Sequence, residues 1–164
     1  MTKVVVFGNS GSGKSTLAKQ LRDSCACAHL DLDTIAWQAV VPPQRKPLSQ
    51  SRQLIDEFLA RNQDWVIEGC YADLLDMVMA DADEVIFLNL PIHACIENAK
   101  RRPWEPHKYP SKQAQDENLA MLIDWISAYT RRDDTFSYRA HQQLYDDFKG
   151  KKSIRVENQA IKNS

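Results

Sequence analysis

Residues 4 to 16 read VVVFGNSGSGKST, and three of the chain's five glycines fall within six consecutive positions of that stretch. Gly8, Gly13, Lys14 and Ser15 satisfy the pattern G-x-x-x-x-G-K-[ST]. Set between an apolar run and a helical one, this pattern predicts a loop whose successive backbone N–H groups curl around phosphates, with the helix N-terminus adding partial positive charge. The cradle is Gly8, Asn9, Ser10, Gly11, Ser12, Gly13, Lys14, Ser15 and Thr16. Its glycines let the backbone come close where a Cβ would collide. Lys14 would reach the β- and γ-phosphates, and the Ser15 hydroxyl would sit on Mg²⁺. These residue types predict a nucleoside triphosphate site. The base-reading motif N-K-x-D of GTPases is absent from the sequence.

The rest of the chain must position that loop. Residues 3 to 7, KVVVF, form an unbroken apolar run that predicts a strand buried on both faces. Leu17 and Leu21 then share one face of a helix running to about Asp23, and AHLDL, near 28 to 32, predicts a second strand. VVPPQRKPLSQ reads as a proline-broken loop, after which Leu54, Ile55, Phe58 and Leu59 restore helical spacing. DWVIEG (64–69) predicts a third strand ending at a carboxylate, and DEVIFLNLP (83–91) a fourth, with a short helix through Leu74, Leu75, Val78 and Met79 between them. Ile92, Cys95, Ile96 and Ala99 mark the next helix. It ends at KRRPWEPHKYP, whose prolines and charges make 101–112 a candidate lid. Leu119, Leu122, Ile123, Ile126 and Tyr129, then Ala140, Leu144, Tyr145 and Phe148, predict two further helices, and SIRVEN (153–158) the fifth strand. Strands alternating with helices imply right-handed crossovers. The expected fold class is α/β, a three-layer sandwich of a five-stranded parallel sheet with the glycine-loop strand in the middle and helices on both faces.

A chain of 164 residues fits a single domain over 1–164. With 43% hydrophobic and 26% charged residues and a net charge of −1, it has no global attraction to nucleic acid or anionic membrane, so any basic site must be local. No apolar stretch approaches the ~20 residues needed to cross a bilayer, and the first residues lack a leader pattern; a cytoplasmic protein is expected. Cys25, Cys27, Cys70 and Cys95 match neither a zinc nor a disulfide framework and are expected as reduced thiols. The oligomeric state is left open, a monomer being compatible with all of this.

Beyond the loop, the sequence resembles the small P-loop kinases, the group containing adenylate kinase and shikimate kinase, over nearly its whole length. HLDLDTIAW resembles the D-x-D ending the second strand of shikimate kinases, which implies Asp31 in the Mg²⁺ shell and Asp33 on the acceptor hydroxyl. WVIEGCY resembles the strand-end segment of adenylate kinases, which implies Glu68 as a Mg²⁺-associated acid. RRPWEPHKY stands where the group has its lid, implying Arg101 and Arg102 as lid arginines. YTRRDD resembles the R-x-D-D after an adenylate kinase lid, implying Arg131 as a phosphate contact. The resemblance implies a P-loop NTPase sandwich using ATP and Mg²⁺ as cofactors, with Lys14, Asp33, Arg101, Arg102 and Arg131 as catalytic residues. The acceptor is a small molecule offering a hydroxyl or a phosphate.

The Gly-rich acceptor segment of shikimate kinases and the GFPR of the adenylate kinase AMP site are both missing, so the acceptor's identity does not follow. Trp37 could line its pocket, and Arg45 and Lys46 could meet an anionic one. Each acidic or basic candidate has a plainer alternative: Asp33 as an N-cap for the segment from Thr34, and Arg101 and Arg102 as a solvated helix end. Lys108 and His107 could be merely exposed. A nucleotide-dependent regulatory ATPase without a small acceptor is the rival function. Nucleic-acid phosphorylation would want a basic, aromatic-interleaved stripe, which is absent.

Overall fold

The computed structural model describes residues 2–40 and 42–158. Five strands, β1 (Lys3–Gly8), β2 (Ala28–Asp31), β5 (Trp65–Gly69), β6 (Glu84–Leu88) and β7 (Lys151–Arg155), form one sheet in the order β2-β5-β1-β6-β7, every neighbouring pair parallel. The strand before the glycine loop is central, as its two-sided apolar character requires. Val4 and Val6 face one helical layer together with Val66, Ile86 and Leu88. Val5 and Phe7 face the other with Trp65, Ile67, Val85 and Phe87. On the first face lie α1 (Lys14–Cys25), α5 (Ile92–Arg101) and α6 (Lys112–Ser127), through Ala18, Cys95, Ala99 and Ile126. On the second lie α2 (Asp33–Ala36), α3 (Leu48–Arg61), α4 (Ala72–Asp76) and α7 (Tyr138–Asp147), through Ile35, Ile55, Leu74, Leu75 and Leu144. The expected three-layer α/β sandwich is the observed one.

Three expectations need correction. The last strand lies at Lys151–Arg155, short of 153–158: its register against β6 runs from Lys151 on Glu84 to Arg155 on Leu88, and the chain then turns toward the glycine loop. The proline-broken loop contains a small antiparallel ladder, β3 (Trp37–Gln38) with β4 (Gln44–Arg45), which sets Trp37 opposite Arg45. Cys25 and Cys27 are joined in a disulfide, so only Cys70 and Cys95 are free thiols. The cause is the C-terminal turn of α1. Ala26 takes a left-handed conformation at φ 53°, which folds the chain back and brings the two Cα atoms to 5.4 Å.

The in-register ends of the strands define the site. Asp31 pairs with Glu68, Glu68 with Val6 and Gly8 with Leu88, so β2, β5, β1 and β6 stop at one edge and deliver their last side chains to the start of α1. No helix among the described residues is long and apolar enough to cross a membrane.

Candidate functional site

The loop between β1 and α1 bends through Gly11 (φ 78°) and Gly13 (φ 91°), a region an L side chain rarely enters. A Cβ on Gly11 would run into the Cys95 carbonyl, and one on Gly13 into the Asn158 amide. The glycines are therefore demanded by the protein's own packing as well as by a ligand's approach. Lys14 Nζ donates to the Asn9 carbonyl at 2.8 Å, and Asn9, 2% exposed, donates its own amide to the Ile126 carbonyl at 3.2 Å. Ser15 and Thr16 stay exposed at the first turn of α1, with Ser10 half-buried ahead of them.

Beside the loop stand the strand-end acids. Glu68 is 3% exposed, and among the described residues its Oε2 has no hydrogen-bond partner; His29 Nε2, equally without one among them, lies 3.8 Å away. Asp31 accepts the Asp33 N–H at 2.9 Å. Burial, then the neighbouring Glu68 and Asp33 carboxylates, push Asp31 up to about 6. A buried acid with an idle oxygen next to an acid that resists ionising is an arrangement a cation would relieve. Among the described residues, no three His, Cys, Asp or Glu side chains form a metal-holding group. A divalent ion here would therefore need ligand phosphates and the Ser15 hydroxyl as well as these acids.

Asp33 opens α2 as its first residue and caps nothing, so the N-cap alternative is not what the chain adopts. Its carboxylate takes the Tyr71 hydroxyl on Oδ1 and the Lys108 ammonium at 3.4 Å on Oδ2. Trp37 Nε1 donates to the same Tyr71 oxygen at 2.8 Å, so Tyr71 is oriented to give its proton to Asp33. Burial opposes charge on Asp33, but Lys108, the Tyr71 hydrogen bond and the nearby Lys14 outweigh it and hold the carboxyl below its ordinary value. Tyr71 is 3% exposed, wedged between Trp37, Phe136 and the Arg45 guanidinium, which lies 4.9 Å above its ring and is tied to Asp73 at 3.2 Å. Behind it, His141 Nε2 meets the Cys70 carbonyl at 2.8 Å, and Nδ1 meets the Tyr129 hydroxyl at 2.7 Å. A carbonyl only accepts, so Nε2 carries the proton and Nδ1 accepts from Tyr129. Burial pushes this histidine down to about 4.

The 101–112 segment reaches the site through Lys108, which also pairs with Glu105 at 3.3 Å, as Arg102 does at 3.2 Å. Gln115 of α6 holds the segment down by accepting the Glu105 N–H at 2.8 Å and donating to the Pro103 carbonyl at 3.1 Å. Arg101 is exposed at the end of α5, and Arg131 is exposed beyond α6. Its neighbour Arg132 is the one folded inward, 3.7 Å over the Trp125 ring. The structure thus groups Lys14, Asp31, Asp33 and Glu68 along one edge and leaves Arg101 and Arg131 at the periphery. Tyr71 escaped the sequence reading although it follows Glu68 by three positions, because nothing local in WVIEGCY marks the tyrosine.

The sequence profile of the AAA-domain family matches residues 4–120. YqaC of Bacillus subtilis (strain 168), an uncharacterised protein, is 25% identical over 126 residues, spanning 76% of this chain and 70% of YqaC. Among solved structures, TT1252 from Thermus thermophilus superposes with a TM-score of 0.56 at 16% identity, over 98% of this chain and 90% of that one. Shikimate kinase from Acinetobacter baumannii, in complex with shikimate, gives a TM-score of 0.50 at 12% identity over 98% and 86%. At these identities the likeness establishes the fold alone, a P-loop NTPase α/β sandwich.

Proposed function

The chain belongs to the AAA-domain family, and from that premise we propose that it is a small-molecule kinase moving the γ-phosphoryl group of ATP to a hydroxyl. One observation carries this reading. A half-buried carboxylate, Asp33, stands across from Lys14 and is held ionised by Tyr71 and Lys108. Held within electrostatic reach of Lys14, that carboxylate offers a second substrate a hydrogen-bond acceptor that nucleotide binding alone would not require. An ionised carboxylate among Asp31 and Glu68 accepts a hydrogen bond from an alcohol but repels a phosphate acceptor, so of the two acceptor types the hydroxyl is favoured.

In this mechanism the loop N–H groups and Lys14 hold the β- and γ-phosphates. Asp33 orients the acceptor oxygen and takes its proton as the bond to phosphorus forms and the bond to the ADP oxygen breaks. The Ser15 hydroxyl, with Asp31 and Glu68 beside it, would hold Mg²⁺ together with the phosphates, and that ion would supply charge neutralisation at the transferring group. Arg101 and Arg102, at the start of the 101–112 lid, and Arg131, beyond α6, are the residues proposed to meet phosphate oxygens when the lid closes.

The test is ADP release against a panel of small alcohols, acids and nucleotides. One alcohol should stimulate release strongly. Asp33→Asn should then cut turnover by roughly 10²-fold while leaving affinity for a non-hydrolysable ATP analogue within a few-fold. Release indifferent to every acceptor and to Asp33→Asn would refute the kinase reading in favour of a regulatory ATPase.

A further inference from the structure

A phosphate loop works only if its N–H groups face the ligand and its carbonyls face away, so each carbonyl needs a donor behind the loop. Among the described residues, donors are identifiable for four of the loop carbonyls, those of Asn9, Gly11, Ser12 and Gly13. The Gly13 carbonyl accepts from Leu17 N at 3.0 Å within α1, and the Asn9 carbonyl from Ser12 N at 3.2 Å and from Lys14. The other two come from far away in the chain. Asn98 of α5 donates to the Gly11 carbonyl at 2.8 Å, and Asn158, beyond β7, donates to the Ser12 carbonyl at 3.0 Å. The two amides are also joined to each other, Asn98 Nδ2 donating to Asn158 Oδ1 at 2.8 Å. Turning either amide over would break two bonds, so the pair fixes its own orientation. The Asn158 amide occupies the space a Cβ on Gly13 would need.

We propose that Asn98 and Asn158 form a clamp that holds the loop with its carbonyls outward, which makes the segment after β7 a working part of the nucleotide site. Both are positioning residues, acting through the loop. The proposal rests on the phosphate-binding reading of the loop and is independent of the transfer reaction. The Lys14 ammonium has three donors and spends one on the Asn9 carbonyl, so it serves both the loop and a ligand. The two asparagine bonds end on carbonyls, for which an acceptor such as phosphate does not compete, so they constrain the loop's shape with the site empty or filled.

Calorimetric titration of wild type, Asn98→Ala, Asn158→Ala and the double variant with two probes, a non-hydrolysable ATP analogue with Mg²⁺ and inorganic tripolyphosphate, tests this. Each single variant should bind both probes about tenfold more weakly and by the same factor. The double variant should lose less than the product of the two, because the amides share one network. If the alanine variant at 158 does not fold, Asn158→Asp keeps the acceptor for Asn98 and loses the donor to Ser12, and the same loss is expected of it. Unchanged affinity for tripolyphosphate would overturn the clamp, whether nucleotide binding is also unchanged or is weakened by loss of a base contact.

Discussion

Removing the Tyr71 hydroxyl while keeping its ring isolates what holds Asp33 ionised. In Tyr71→Phe the aromatic packing against Trp37, Phe136 and Arg45 survives, but Asp33 Oδ1 loses its donor and Trp37 Nε1 loses its acceptor. A hydrogen bond to a charged group contributes about 1.5–3 kcal/mol, and one pKa unit corresponds to about 1.4 kcal/mol, so a carboxylate relying on that bond would rise by about one to two units. The Asp33 side chain is 41% exposed and keeps Lys108, so water and the ammonium replace part of the loss, and about one unit is expected. The sign follows from the donor stabilising the anion: without it the proton is held to higher pH. Carbon-detected NMR titration of the aspartate carboxyls, with Asp33→Asn to assign the resonance, reads the shift directly. The acid limb of the pH–turnover profile should move up by the same amount with little change on its plateau. An unmoved or lowered Asp33 titration in Tyr71→Phe would refute the relay from Trp37 through Tyr71, whatever reaction the protein performs.

Two further outcomes are expected. Lys14→Ala should weaken binding of the ATP analogue by roughly 30-fold or more, as truncating one partner of a charged contact does, and should leave the melting temperature nearly unchanged, because among the described residues the ammonium bonds only the Asn9 carbonyl; equal affinity in calorimetry would remove the phosphate-loop assignment. His141 is held neutral down to about 4, so the unfolded chain binds a proton that the folded one does not between there and about 6.5, and stability is lost as pH falls through that window, by up to about 3 kcal/mol. Asp31, raised to about 6, works in the opposite direction over a similar range, so the histidine contribution is read as a difference: the deficit of His141→Gln relative to wild type in denaturant unfolding should shrink as pH drops from 7 to 4.5. A constant deficit would mean that His141 is not buried neutral.

What the sequence made legible was whatever is local or follows from strand ends. GNSGSGKST carries its geometry within nine residues, and once β1, β2 and β5 are parallel and in register, Asp31 and Glu68 must meet beside it. The partners of Asp33 were not legible, because Tyr71 and Lys108 lie 38 and 75 positions away and arrive through loops whose course depends on packing. The Cys25–Cys27 pair needed a left-handed alanine, a backbone state that composition does not announce.

The glycines are the instructive case. Read from sequence, they make room for phosphate. In the folded chain the space beside Gly11 belongs to the Cys95 carbonyl of α5 and that beside Gly13 to Asn158. The strand-end loop is thus packed against α5 and the segment after β7 by the chain's own contacts. A side chain at either position would therefore strain the loop before any nucleotide arrives. In the proposed site the same glycine would serve folding and binding at once, so the two roles are to be separated by substituting the groups that press against it and not the glycine itself.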